Sequence, residues 1–238
     1  NEIAPTEHSN AKNIGKKKPQ YKVVARNEDY NPDSYKVIER IGINKNGIGE
    51  VLDKSNGFGD DCPRLSATLV AMMEASGDPR LPIFGAPSEN TGVIAGMPNG
   101  LDETTLPDNP TGTSTADFSR INPAIVRVES PMMFMTYAET ELLLAEAAVR
   151  GWITTDAKTH YENGIKASFE FYNTYAKSFE DYFITSAANT YLSENLVTYN
   201  NSSSIEDKLN LILTQKYIIS FHQSGWRMYF DNLRTGYP

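Results

Sequence analysis

The 238-residue sequence contains few of the residues that build covalent or histidine-based sites. Its one cysteine, Cys62, permits no internal disulfide, and with Asp61 and Pro63 beside it and no histidine nearby it is a poor nucleophile. The three histidines lack the H-x-x-x-H or H-E-x-x-H spacing of a histidine-built metal site. The sequence therefore predicts neither a catalytic thiol nor such a metal site.

Long apolar runs and positive charge are also scarce. Glutamates interrupt the most hydrophobic stretch, around Leu142 to Leu144, whereas a membrane-spanning helix needs about 20 apolar residues in a row. The net charge of −8 and the isoelectric point near 5.0 argue against binding to nucleic acid, whose phosphates attract basic surfaces. The first ten residues, NEIAPTEHSN, lack the features of a secretory signal, so we expect either a cytosolic protein or a sequence that begins downstream of a leader.

The glycine-rich stretch NGIGEVLDKSNGFGDD fits neither a phosphate-binding loop nor a regular calcium loop. It has no G-x-G-x-x-G run and no Gly-Lys-Ser/Thr ending. When Asp53 is counted as the first position of a calcium loop, Phe58 stands where glycine is expected and Arg64 where a bidentate glutamate is needed. We therefore predict no cofactor site, no metal site and no catalytic residue.

The sequence predicts one domain with two parts that differ in amino-acid composition. Residues 1–130 are punctuated by Gly, Pro, Asn, Asp, Ser and Thr, which predicts a loop-rich segment with short strands and one helix near 65–76. In residues 131–238 glycine and proline become rare and apolar residues recur every three to four positions, which predicts a helical scaffold. The predicted helices span about 132–150, 155–175, 178–192, 204–222 and 225–234. The fold class is therefore mostly α.

The first two helices of the scaffold show the spacing of a tetratricopeptide unit, a helical hairpin of about 34 residues. In such hairpins small residues let the helices cross closely, and an aromatic residue locks the second helix against the first. Counting from Ala138, the matching positions are Ala145, Ala148, Ala157, Tyr161 and Gly164. This pattern predicts tetratricopeptide-like hairpins of an α superhelix.

The glutamates of the first scaffold helix raise the alternative of a glycoside hydrolase. Glu139 and Glu146 share one helical face, but seven residues at 1.5 Å rise separate them by about 10 Å along the axis. Retaining glycosidases hold their carboxyl groups about 5 Å apart and inverting ones about 6.5–9.5 Å apart, across a cleft. Because glutamate is also a good helix former, we favour a solvated helix face.

Aromatic residues in loops are the best candidates for ligand contacts. The chain has 13 Tyr, 10 Phe and 2 Trp, and many of them lie where loops present them. A ring flanked by Asn, Asp or Arg can stack on the apolar face of a sugar while its neighbours bind the hydroxyls. The alternative for any single ring is packing of the loops onto the helices. The candidate ligand-binding residues are Tyr30, Tyr35, Phe58 and Phe84.

Several stretches in combination carry a family resemblance. They are SPMMFMTYAETELLLAEAAVRGW, GDPRLP, Tyr161-Glu162-Asn163-Gly164-Ile165, Gln215-Lys216-Tyr217, and Trp226 through Arg234-Thr235-Gly236-Tyr237-Pro238. Together, over about residues 60–238, they resemble the SusD/RagB family of outer-membrane nutrient-binding lipoproteins. The last two resemble the family's Gln-Lys-aromatic and Trp-x-Asp-x-Arg-Arg-Thr-Gly-x-Pro signature, here with one arginine of the usual pair. We predict a structural role for these signature residues. Trp226, Phe230 and Leu233 share one helical face, and Arg227 and Asp231 can pair on another.

The resemblance implies function as well as fold. It implies a non-catalytic protein at the outer face of the outer membrane, where it binds a nutrient oligosaccharide and covers a SusC-like TonB-dependent transporter. It also implies a lipid anchor as the contact with the membrane, and a longer protein of which this chain is the middle-to-late part. The alternatives are a peptide-binding tetratricopeptide-type scaffold and a glycoside hydrolase.

Overall fold

A computed structural model describes residues 63–125, 131–176, 186–221 and 224–237, and the statements below concern these residues. Within these ranges the protein is mostly helical, as predicted, and none of its helices is both long and apolar enough to cross a bilayer. The α-helices are α1 (Ala67–Ala75), α2 (Leu81–Phe84), α3 (Tyr137–Val149), α4 (Ala157–Tyr175), α5 (Ala187–Leu192), α6 (Ile205–Ile219) and α7 (Gly225–Thr235). Two 3-10 turns cover Leu106–Asp108 and Thr115–Asp117.

Side-chain caps set where the long helices begin. The Thr136 hydroxyl accepts a hydrogen bond from the backbone N–H of Glu139, which satisfies a donor that the first turn leaves free. For this reason α3 begins at Tyr137 rather than at the predicted residue 132. Asp156 and Ser204 cap α4 and α6 in the same way. The chain leaves α3 at Gly151, whose φ of 74° is one that glycine adopts without strain.

Helices α3 and α4 cross closely at small residues, as the tetratricopeptide-like spacing predicts. Ala138, Ala145 and Gly164 are buried at the crossing, and a Cβ atom placed on Gly164 would lie only 2.8 Å from Leu142 Cγ. The buried Tyr161 donates its hydroxyl hydrogen bond to the carbonyl oxygen of Val197, at 2.8 Å. The hairpin is thereby fixed to the chain that follows α5.

One hydrophobic core joins the hairpin to α6 and to the loop-rich part. Helix α6 packs against α3 and α4, while α1 and α2 bring Met73, Ile83 and Phe84 into the same core. Burial of each such side chain contributes roughly 1.5–3 kcal/mol, which makes this core the main stabilising term. Its fully buried apolar members include Met73, Ile83, Phe84, Leu142, Ala145, Tyr161, Ile165, Ala176, Val197, Ile212 and Ile218.

The described portion of the loop-rich segment contains α1 and α2 but no strand. Instead of the predicted short strands it has three isolated bridges: Arg64 with Arg120, Ser66 with Met97, and Gly85 with Ile121. Pairing does not extend because turn-forming residues redirect the chain every few positions. Helix α2 was not predicted, since four residues beginning with Leu81-Pro82 are too few to show a helical period.

Candidate functional site

A buried cluster around Arg80, which we call the Arg80 cluster (Asp78, Arg80, Ser168, Tyr191 and Gln215), joins the loop-rich part to the scaffold. Asp78 Oδ1 accepts from both the backbone N–H and Nε of Arg80, each at 2.9 Å. Ser168 Oγ and Gln215 Oε1 accept from the guanidinium at 2.9 and 3.1 Å. The guanidinium also lies over the Tyr191 ring, 5.3 Å from its centroid. The turn before α2 and the helices α4, α5 and α6 therefore all contact the side chain of Arg80.

The electrostatics of the Arg80 cluster fit a structural role. Arg80 and Asp78 side chains are both 0% exposed. Burial alone would lower the pKa of Arg80, but the adjacent Asp78 carboxylate outweighs burial and raises that pKa above its usual value. Burial raises the pKa of Tyr191 as well, so its hydroxyl stays protonated and accepts a hydrogen bond from Gln215 Nε2 at 2.9 Å. The cluster therefore holds a buried ion pair whose two charges balance each other.

The glutamates of α3 are buried and paired, so the predicted solvated face is wrong. Glu139, Glu141 and Glu146 are only 6%, 6% and 2% exposed. Glu139 Oε2 accepts from Arg227 at 2.7 Å, and Glu141 Oε2 lies 2.7 Å from His160 Nδ1. These carboxylates point inward because a buried charge is tolerated when a hydrogen-bonding or charged partner is in contact with it. Their partners lie 19 and 88 residues away, beyond the reach of a periodicity argument.

Glu146 is the centre of a second charged group, which holds α7 against α3 and α6. Its carboxylate accepts from Arg150 Nε, four residues later, at 2.8 Å and from Arg234 at 2.6 Å. Asp231 in turn contacts Arg234 at 2.6 Å and Lys216 at 2.7 Å. The predicted pairing of Arg227 with Asp231 is wrong, because each contacts a residue on another helix.

The pKa values in this group oppose the role of a general acid. Burial alone would raise the pKa of Glu146, but hydrogen bonds from Arg234 and Arg150 outweigh it and hold the pKa below its usual range. Contacts with Lys216 and Arg234 likewise keep the pKa of Asp231 low, against burial. A glycosidase acid needs a raised pKa, so that it carries a proton near neutral pH.

The signature residues near the end of the chain act in these two clusters. Gln215 belongs to the Arg80 cluster, Lys216 and Asp231 hold α6 to α7, and Arg234 binds α3. Gly236 ends α7 with a φ of 73°. Their predicted structural character is confirmed for these positions.

Two aspartates organise the polar turns of the loop-rich segment. Asp117 accepts from Asn90 Nδ2 at 2.7 Å and from the backbone N–H groups of Thr113 and Ser114 at 2.9 Å. Asp102 accepts from the backbone and hydroxyl groups of two threonines, and these hydrogen bonds lower its pKa to about 2. Such turns present fixed hydroxyl, amide and carboxylate groups at the surface. These are the groups that hydrogen-bond sugar hydroxyls.

The predicted ligand-binding rings fall in two places. Tyr30, Tyr35 and Phe58 lie outside the described residues. Phe84 is 0% exposed and stacks on Phe221, with ring centroids 4.6 Å apart. The prediction that Phe84 contacts a ligand is therefore wrong, because α2 places this ring inside the core.

Exposed rings also occur on the scaffold, where sequence reasoning did not place them. Between α3 and the second half of α4 lies a surface cavity of about 270 Å³, which we call the tyrosine groove. Its wall includes Tyr137, Phe171 and Tyr175 beside Glu170 and Thr174. The signal in the sequence is the Phe171–Tyr175 spacing of four residues, which places both rings on one side of α4. Among the described residues, no three His, Cys, Asp or Glu side chains are grouped as metal ligands.

Comparison with solved structures finds similar proteins of greater length. An outer membrane protein from Bacteroides vulgatus, whose description assigns it to nutrient binding, is 34% identical over 72% of this chain and 40% of its own, with a TM-score of 0.64. A SusD homologue from Bacteroides fragilis is 35% identical over the same shares, with a TM-score of 0.62. A chitin-binding SusD homologue from Flavobacterium johnsoniae is 26% identical over 82% of this chain and 40% of its own, with a TM-score of 0.61.

This chain thus spans about 40% of the length of these relatives. No protein with a curated description matches it. The family described as SusD-like, "Starch-binding associating with outer membrane", matches residues 6–238, a longer range than the sequence motifs indicated. With its helical hairpin, its signature stretches and a match of this extent, the chain belongs to the SusD-like family.

Proposed function

We propose that the protein binds a nutrient oligosaccharide at the cell surface, without catalysis, and passes it to a SusC-like TonB-dependent transporter of the outer membrane. Membership of a family described as starch-binding and associated with the outer membrane is the observation that carries this proposal. A relative described as chitin-binding supports a glycan as the ligand class. The full-length protein is anchored to the membrane by lipid in this proposal.

The state of the carboxylates supports binding without catalysis. In the described helices the buried glutamates of α3 are held by Arg227, His160, Arg150 and Arg234. A carboxylate kept ionised by a contacting guanidinium is a weak proton donor, and hydrolysis of a glycosidic bond needs one. Recognition then falls to surfaces away from these pairs. Tyr30, Tyr35 and Phe58 remain the predicted contacts in the loop-rich segment.

Calorimetry with a panel of oligosaccharides tests the proposed ligand class. We expect the full-length protein to bind at least one starch-type or chitin-type oligosaccharide, and to release no reducing ends from the polymer. Glu146→Gln is the informative variant for catalysis, because it removes the charge and keeps the shape. A release of reducing ends that Glu146→Gln abolishes would establish a glycoside hydrolase instead.

Peptide binding is the second candidate function, and the tyrosine groove favours it. Grooves between helices accept peptide side chains, and this one combines rings with the carboxylate of Glu170. The same panel separates the two candidates when it includes a mixture of peptides. Binding of peptides with no heat from any oligosaccharide contradicts the glycan proposal.

The proposed transporter partner has its own test. We expect the full-length protein, purified from outer membranes in mild detergent, to bring with it a β-barrel protein of the TonB-dependent class. A protein that purifies alone under these conditions, while still binding glycan, contradicts the partner and leaves the ligand class standing.

A further inference from the structure

Helix α7 is attached to the rest of the protein by its charged side. Arg227 contacts Glu139 of α3, Arg234 contacts Glu146 of α3, and Asp231 contacts Lys216 of α6. No residue of α7 is buried in the described structure. An amphipathic helix on a protein surface ordinarily turns its apolar side toward the core. Helix α7 does the opposite.

Four large apolar side chains consequently form a stripe on the outer side of α7. Trp226, Tyr229, Phe230 and Leu233 follow the i, i+3, i+4, i+7 spacing of one helical face, and they are 76%, 53%, 60% and 65% exposed. We call these four residues the α7 stripe. Single exposed apolar residues are normal, but a contiguous group of this kind marks a surface that something covers.

A hollow beside the α7 stripe extends the apolar surface. It has a volume of about 480 Å³, and its wall includes Leu69, Tyr217, Met228 and Tyr229. The α7 stripe and the hollow share Tyr229. One covering element can therefore pack on the rings of the stripe and insert a side chain into the hollow between α1, α6 and α7. The cations and carboxylates that α7 shares with α3 and α6 face away from this surface. Because Ser220 and Asn232 also line the hollow, a covering element that fits this surface is mostly rather than wholly apolar.

We propose that the α7 stripe is an internal packing surface of the longer SusD-like protein, covered by polypeptide outside residues 1–238. The lengths of the relatives supply the covering segment. Because 72% of this chain pairs with 40% of the Bacteroides vulgatus protein, that protein is about 1.8 times as long as this chain. Such a protein has ample additional polypeptide to cover one helical face, and burial of four large apolar side chains favours the covered state.

The ring geometry argues against a sugar as the occupant. A sugar platform presents flat ring faces side by side. The planes of Trp226 and Phe230 lie within 29° of each other, but that of Tyr229 stands at 90° to Trp226 and at 63° to Phe230, so the three rings form no common flat face. Leu233 adds a branched aliphatic group, which packs against protein side chains better than against a pyranose. Rings set edge to face are typical of hydrophobic cores.

Cysteine labelling of the isolated full-length protein tests this inference. Leu233→Cys, with Cys62 replaced by serine, is treated with a water-soluble maleimide under native conditions, and the modified peptide is identified by mass. Leu196→Cys is the matched control, because Leu196, which follows α5, is 60% exposed and Leu233 is 65% exposed. Each labelling rate is normalised to the rate of the same variant in urea. We expect Leu233→Cys to react at least about tenfold more slowly than the control, as for a site that must open to react.

Equal normalised rates at the two positions contradict the inference, since the α7 stripe is then open to solvent in the complete protein. Should Leu233→Cys fail to fold, Trp226→Cys gives the same comparison from the other end of the stripe. The outcome is independent of glycan binding, because the protein is labelled without ligand.

Discussion

Replacing Arg80 by methionine is expected to destabilise the protein by about 3–5 kcal/mol. The substitution leaves the Asp78 carboxylate buried without its cation, and it removes the hydrogen bonds to Ser168 and Gln215. Urea unfolding followed by circular dichroism measures the loss. The expected result is a large drop in the midpoint with retained helical content in the folded state.

Arg150→Met is the matched control for Arg80→Met. Arg150 is also paired with a buried carboxylate, but its own side chain is 27% exposed, and Glu146 keeps Arg234 as a second partner. We expect a loss of about 1 kcal/mol or less at Arg150. Similar losses at the two positions contradict the central place of Arg80 in the fold.

Replacing Gly164 by valine is expected to cost about 2–3 kcal/mol, through overpacking of the crossing between α3 and α4. Its Cβ atom would lie 2.8 Å from Leu142 Cγ and 3.1 Å from the carbonyl oxygen of Ala138. The backbone oxygen cannot move without displacing α3. Thermal unfolding of the variant measures the loss as a lowered Tm.

Gly225→Val is the control for Gly164→Val, because it makes the same chemical change at a helical glycine with open space around it. Apart from its chain neighbours and its own helix backbone, nothing in the described part of the chain lies within 4 Å of a Cβ built on Gly225. We expect its Tm to stay within a few degrees of the parent protein. If Gly164→Val is as mild as Gly225→Val, the close crossing inferred from the small-residue spacing is not what holds the hairpin.

The helices of the scaffold can be predicted from the sequence because the residue patterns that indicate them are local. The small residues Ala138, Ala145 and Gly164 lie at the hairpin crossing, and the apolar period marks the helices from α3 onward. Helix positions alone, however, do not say which side of a helix is covered. Glu146 was assigned to solvent because its partner Arg234 follows 88 residues later, on a helix whose orientation the sequence does not give.

Side-chain positions in the loop-rich part are harder to predict, because their contacts are with residues far away in the sequence. The glycine and proline near Phe84 predict that its ring lies in a loop. Instead, one turn of helix places the ring in the core, stacked on Phe221. Arg80 gave no periodic signal, because its partners Ser168 and Gln215 follow 88 and 135 residues later. In both cases tertiary packing, absent from any local pattern, decided where the side chain lies.

The central claim is that the helices hold the protein together while the loop-rich segment recognises the glycan. Its most direct test is calorimetry with the oligosaccharide on full-length protein carrying Tyr30→Ala, Tyr35→Ala and Phe58→Ala together. Trp152→Ala is the control, since this exposed ring lies on the scaffold. The account predicts an affinity loss of at least about tenfold for the triple variant, with an unchanged Tm, and no loss for the control. Full affinity in the triple variant, or a loss confined to Trp152→Ala, would contradict it.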